Sequence, residues 1–155
     1  MAMQKRFRVG HGDVFPKGAF IKGEVEKVID FDKSTQENRV QAVDLNKAGE
    51  GTGLPLWQVI VLDADEEAGK KDTAVTVKIA AKHQPVPPEN KTPFPWTMVE
   101  FVGLTALPYV EYTGSKDKDG HDRTRIVWSF RAEGMVAPGQ SASQSAGSSA
   151  SKGAA

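Results

Sequence analysis

The chain contains no cysteine, so it has neither disulfides nor thiolate metal ligands. It carries no excess of charge, since 20 Lys and Arg balance 20 Asp and Glu. That balance excludes a grossly basic nucleic-acid protein but leaves room for a local basic face on a neutral molecule. No apolar run reaches membrane-spanning length, and the N-terminal MAMQKRFRVG lacks the apolar stretch of a secretory signal. A cytoplasmic location without a membrane partner is the expectation. No window shows a helical stripe, so two helices joined by a tight turn, as helix-turn-helix DNA binding requires, are not expected. His11, His83 and His121 stand isolated, with no partner at i,i+4. Neither a nucleophile elbow nor a phosphate loop occurs. No enzyme activity, catalytic residue, metal or cofactor is expected.

What the chain does have is strand-like. From Arg39 to Asp65 a short run (Val40, Ala42, Val43) enters a turn with Gly49, Gly51 and Gly53, and a longer apolar run leaves it (Leu54, Leu56, Trp57, Val59 to Leu62). Two strand signals around such a loop predict a β-hairpin, and the second run, apolar on both faces, predicts a central strand. Ala19 to Phe31 reads as a bent first strand, with Gly23 marking a bulge. Thr73 to Lys82 alternates cleanly, with Val75, Val77, Ile79 and Ala81 on one face and Thr76, Lys78, Ala80 and Lys82 on the other. Five prolines between His83 and Pro95 exclude a helix or central strand there. Thr97 to Tyr112 reads as a strand broken at Gly103 and Pro108, and Gly114 to Asp122 as a polar hairpin tip. Thr124 to Val136 closes the set, with Ile126, Trp128, Phe130 and Ala132 sharing one face.

The fold class that follows is all-β: a small five-stranded OB-like barrel with long loops over Gln4 to Pro138. Beyond it, Gly139 to Ala155 (GQSASQSAGSSASKGAA) has nothing to bury and is expected to be a disordered tail.

Single-strand binders combine a cationic groove with aromatic stacking platforms. The residues that fit are Trp57, Tyr109 and Tyr112 with Lys78, Lys82, Arg123, Arg125 and Arg131; Trp96 is a further aromatic of the same type. Trp57 can equally be core and the cations a plain solvated face. Trp128 is expected in the core, because it alternates with Ile126 and Phe130. Lys5, Arg6 and Arg8 suit a phosphate-contacting arm. The acidic run Asp63, Asp65, Glu66 and Glu67 and the Asp117, Asp119, Gly120 turn lack the ligand spacing of a calcium loop.

Several separated motifs occur together: RFRVGHGDVFPKGAF, VQAVD followed by TGLPLWQVIVLDAD, TVKIAAK with its proline-rich sequel, and VEF, PYV and SFRAEGMVAP near the end. In this order they resemble the plasmid replication, integration and excision activators of actinomycete integrative elements, over about Phe7 to Pro138. The resemblance implies a role in switching on replication and excision of a mobile element. The strand order is more distantly similar to single-stranded-DNA-binding OB-fold proteins. The chain ends in SKGAA rather than in the acidic, Phe-tipped tail those proteins often carry. The function expected is a nucleic-acid-binding accessory protein, single-stranded DNA favoured, with homo-oligomerisation open. The alternative is a regulator that binds a replication or transcription protein without touching DNA.

Overall fold

The computed structural model describes residues 5–70 and 73–140. Their elements are β1 (Phe7–Arg8), α1 (His11–Val14), β2 (Ala19–Lys22), β3 (Glu26–Lys27), β4 (Leu56–Asp63), β5 (Ala74–Ala80), β6 (Trp96–Val102), β7 (Thr105–Lys116), β8 (Asp122–Ala132) and β9 (Gly134–Val136). The protein is all-β. Nine strands, not five, make up a single curled sheet in the order β1-β7-β8-β5-β4-β2-β6-β9, with β3 added on β4. All pairings are antiparallel except β5 with β8, which run parallel from Val77 opposite Phe130 to Ile79 opposite Ala132.

The count rises because three expected strands are each divided in two, Thr124 to Val136 giving β8 and β9, and the short edge strand β1 is added. The expected strand from Ala19 to Phe31 ends at Lys22, because Gly23 takes φ +83°, and resumes only as β3. Gly103, at φ +63°, parts β6 from β7. A left-handed backbone of this kind is strained for any residue with a Cβ. Pro108, by contrast, breaks nothing: it sits inside β7 opposite Trp128. β6 and β7 lie near opposite ends of the strand order yet only Gly103 and Leu104 separate them, so the sheet must curl.

The expected hairpin around Gly49 to Gly53 is reduced to one isolated bridge, Val43 with Pro55, while Gln41 bridges back to Ile29. The hairpin partner of β4 is instead β5, paired from Leu56 opposite Ala80 to Leu62 opposite Ala74. β4 is central in the sheet as expected, but only one of its faces is covered throughout: Trp57, Val59 and Val61 are buried, while on the other face Leu56 is buried and Ile60 is 59% exposed. Val77 and Ile79 of β5, Ala19 and Ile21 of β2, and Val99 and Phe101 of β6 complete that inner face. Covering these side chains is worth about 1.5–3 kcal/mol each, the largest favourable contribution to the fold.

A single helical turn closes one end of the core. α1 carries the chain to Phe15, which packs against Phe101 and Phe130 with ring centroids 6.1 and 6.4 Å apart. His11 packs against Phe15 and Phe101, and its Nδ1 accepts the Phe101 N–H at 3.1 Å. Burial lowers the His11 pKa below the ordinary imidazole value, and the nearby Glu100 offsets only part of that.

The expected body ends at Pro138, yet Gly139 N–H donates to Glu100 Oε2 at 2.7 Å and Gln140 N–H to Ala137 O at 3.1 Å. The body therefore extends two residues into the serine-rich segment. The rest of the expected tail, from residue 141 on, lies outside the described residues, as do Gln4 and part of the Asp63 to Asp72 loop.

Candidate nucleic-acid interface

β7 and β8 form a ribbon of 12 and 11 residues, paired from Thr105 opposite Arg131 to Tyr112 opposite Thr124, with a register shift before Lys116 opposite Asp122. β5 covers only its root, at Phe130 to Ala132. Beyond that root the ribbon and the first half of β5 are unpaired with each other. A groove of about 700 Å³ opens there, lined by Thr76, Lys78, Tyr109, Arg125 and Trp128 among others, with Val14 and Phe15 also reaching it.

This geometry sorts the expected residues. Lys78, Tyr109 and Arg125 line one groove. Arg131 pairs with Lys78 across the parallel strands and so shares its face of the sheet. Tyr112 (71% exposed) and Arg123 stand further out on the ribbon and do not line the groove. Lys82 lies past the end of β5, so it does not extend the strand face of Lys78. Among the described residues Lys78, Lys82 and Arg123 make no ion pair.

Of the two tryptophans, Trp57 takes the core position left open for it, and Trp128, expected in the core, is partly exposed. Trp57 is 7% exposed, inside the core, and its Nε1–H donates to Ala81 O at 2.9 Å. It presents no face for a base to stack on. Trp128 is 46% exposed on the groove wall, with Phe7 against it edge-on at 6.1 Å. Its face does continue that of Phe130 and Ala132, but no sheet lies opposite. Ile126 and Val110 on the same face are 70% and 61% exposed for the same reason.

The cations of the site are partly engaged. Arg125 is held by Glu111, its cross-strand partner, with Nη2 to Oε2 at 2.7 Å and Nε to Oε2 at 2.8 Å. Arg131 Nη1 meets Asp44 Oδ1 at 2.5 Å, while Arg131 Nε is buried without a hydrogen-bond partner among the described residues. Burial pushes the Asp44 pKa up, but hydrogen bonds from Thr52 and Arg131, with the charge of Arg131, outweigh it and leave Asp44 below the ordinary aspartate range. Asp44 belongs to the glycine-rich loop, and Gly51 is what lets that loop close: a Cβ there would meet Asp44 O at 2.1 Å.

The basic N-terminal segment is not a free arm. β1 pairs with β7, and the Arg6 guanidinium donates to Ser129 O at 3.1 Å and Ser129 Oγ at 3.0 Å. Burial, then the charge of Arg131, lowers its pKa, with Asp44 acting in the opposite sense. Nothing in the sequence marked Arg6 as anchored, because Ser129 lies more than 120 residues away. Asp117, Asp119 and His121 at the ribbon tip place ligand atoms within 4.8 Å of one another. That proximity is turn geometry: Asp117 Oδ1 accepts the N–H groups of Asp119 and His121, both at 2.9 Å.

No helix among the described residues is long and apolar enough to cross a membrane. No family model, curated protein or solved structure matches the chain.

Proposed function

We propose that this protein binds single-stranded nucleic acid, DNA by preference, as an accessory factor in the replication, integration and excision of a plasmid or integrative element. The observation that carries the reading is the groove between β5 and the ribbon. Two exposed aromatic rings, Tyr109 and Trp128, line it together with two cations, Lys78 and Arg125. Aromatic platforms beside a phosphate-tracking charge are what sequence-tolerant single-strand binding needs. Lys78 and Arg125 would meet phosphates, and Tyr109 and Trp128 would stack on bases.

The strand order supports an OB-like description of the fold. With β6 and β7 taken as one strand bent at Gly103, the set β2, β4, β5, β6–β7 and β8 has five members, with the final parallel contact between β5 and β8. The mobile-element context rests on the motif resemblance from RFRVGHGDVF to SFRAEGMVAP.

The test is fluorescence anisotropy of a labelled oligothymidylate titrated with the protein over a range of salt. Affinity should fall linearly with salt on logarithmic axes, and replacing Lys78 and Arg125 together should flatten the slope by about two phosphate contacts. A folded protein with no affinity for single- or double-stranded DNA at low salt rejects the proposal. The second reading, a regulator that docks on a replication or transcription protein, is favoured by one observation: the uncovered apolar stripe of Val110, Tyr112 and Ile126 on the ribbon.

A further inference from the structure

A second concavity of about 340 Å³ lies on the outer face of the sheet, between β2, β4 and the proline-rich segment that precedes β6. Phe20, Leu62, Phe94 and Trp96 make its walls, and Thr73 and Thr92 its polar margin. We infer that this pocket is a stacking site for a nucleobase of the same strand that occupies the ribbon groove. The inference rests on the nucleic-acid reading above and adds a second anchoring point to it.

Three observations favour a base over other occupants. The first is that the wall is built rather than draped. Pro93 and Pro95 restrict the backbone around Phe94. Asn90 Nδ2 donates to Phe94 O at 2.6 Å, and Thr92 Oγ1 lies 3.0 Å from Phe94 O and 2.9 Å from Trp96 O. Phe94 is thus held in place although 65% of it is exposed, a costly arrangement for a large ring with nothing to cover. The second is charge. Lys22 Nζ sits 5.4 Å from the Trp96 ring centroid and makes no ion pair among the described residues, so a cation is stationed beside the aromatic platform. The one carboxylate of the pocket, Asp63, already accepts the Asp65 N–H at 2.9 Å.

The third is continuity. Ladder partners share a face, and the ladder runs Trp96 with Lys22, Met98 with Phe20, Phe20 with Leu62, Ile60 with Thr76, and Gln58 with Lys78. One outer face therefore leads from the pocket to the cationic groove, and Asp63 borders both. Ile60 and Met98 lie exposed along that path, an apolar track over which bases can lie. From β8 to β6 the sheet order crosses four strand spacings, about 19 Å at roughly 4.8 Å each. A dinucleotide in the groove falls short of that span, whereas a longer strand covers it.

The experiment uses the full chain with the thymidine dinucleotide as the short ligand and an oligothymidylate of about 16 nucleotides, the upper limit of site size for one domain of this kind, as the long one. Phe94→Ala and Lys22→Gln are the variants, and Trp96→Phe is the conservative control. Phe94→Ala should weaken the long oligonucleotide about 5- to 150-fold and leave the short one unchanged, with an unaltered melting temperature. Trp96→Phe should retain most of the affinity. Photo-crosslinking of the long oligonucleotide carrying 5-iodouracil should label the 92–96 segment, and the short one should not. Normal binding of the long oligonucleotide by Phe94→Ala, without labelling of 92–96, overturns the inference while leaving the groove reading intact. Absence of binding to either oligonucleotide by the unaltered protein removes both. A pocket that takes an apolar side chain from a second copy would show as self-association lost in Phe94→Ala with DNA affinity unchanged, and that too overturns it.

Discussion

Replacing Trp57 and Trp128 by alanine, one at a time, should separate stability from binding. Trp57 is 7% exposed and packs among Val59, Ile79 and the other core residues. Removing a buried tryptophan side chain costs about 3–5 kcal/mol, from lost transfer energy and the cavity left behind. The hydrogen bond from Nε1 to Ala81 O is lost as well, at about 1 kcal/mol, although Ala81 is only half-buried and water can replace the donor. Against a total stability of roughly 5–15 kcal/mol, Trp57→Ala should lower the melting temperature by roughly 10–20 °C or leave the domain unfolded. Trp57→Phe keeps most of the packed area and should cost about 1–2 kcal/mol. Trp128 is 46% exposed with the groove on one side, so Trp128→Ala should cost about 1 kcal/mol or less in stability. It should cost about 1–3 kcal/mol in affinity for single-stranded DNA if a base stacks there. Urea unfolding and oligonucleotide titration on the same preparations supply both numbers. A folded Trp57→Ala variant of near-normal stability, or a Trp128→Ala variant that melts as a core mutant does, would refute the assignment of the two rings.

Other consequences are open to simpler measurement. His11 Nδ1 accepts a backbone N–H, so the folded state holds the ring neutral and lowers its pKa. The unfolded chain then binds the extra proton more readily, and stability should fall as pH drops below the unfolded value of about 6.5. His11→Gln should flatten that pH dependence in thermal melts between neutral and mildly acidic conditions. Asp44 acts in the same direction at lower pH: its lowered pKa stabilises the fold above about pH 4 and that contribution disappears as pH falls further. Asp44→Asn should free Arg131 and raise affinity for single-stranded DNA at low salt, whereas unchanged affinity would show that Arg131 lies off the binding path. Gly103→Ala should destabilise by about 1–2 kcal/mol, since φ is +63° and a Cβ would also displace the flexible Glu133 side chain. Truncation after Gln140 removes only small and polar residues and should leave the melting temperature unchanged.

The all-β class was legible because alternation survives wherever one face meets a core. Thr73 to Lys82 is the clearest case: Val77 and Ile79 are buried, and Lys78 faces outward as read. The same rule misplaced Trp128. Period two correctly put it on a face with Phe130 and Ala132, but periodicity cannot say how far the opposing sheet extends, and here it stops at the ribbon root. Trp57 stood between core and platform for the converse reason, since a run apolar at nearly every position gives no preferred face. The groove as a unit was out of reach, because it joins Lys78 to Arg125 through a parallel contact between segments some fifty positions apart. Strand number was underestimated where glycines at positive φ cut long strands into pieces.

The parallel junction of β5 with β8 also fixes an order of events during synthesis and folding. β4 and β5 can pair as soon as both have left the ribosome, whereas the outer edge of β5 must wait until Phe130 to Ala132 are made, near the end of the body. Non-local pairings of this kind are slow to form and tend to come last. Until then Val77 and Ile79 would sit beside an open strand edge, a template for association with other chains. Truncations that stop short of Ala132 should therefore aggregate rather than fold, and a chaperone that holds nascent chains should improve the yield of the intact protein more than that of a helical protein of equal size.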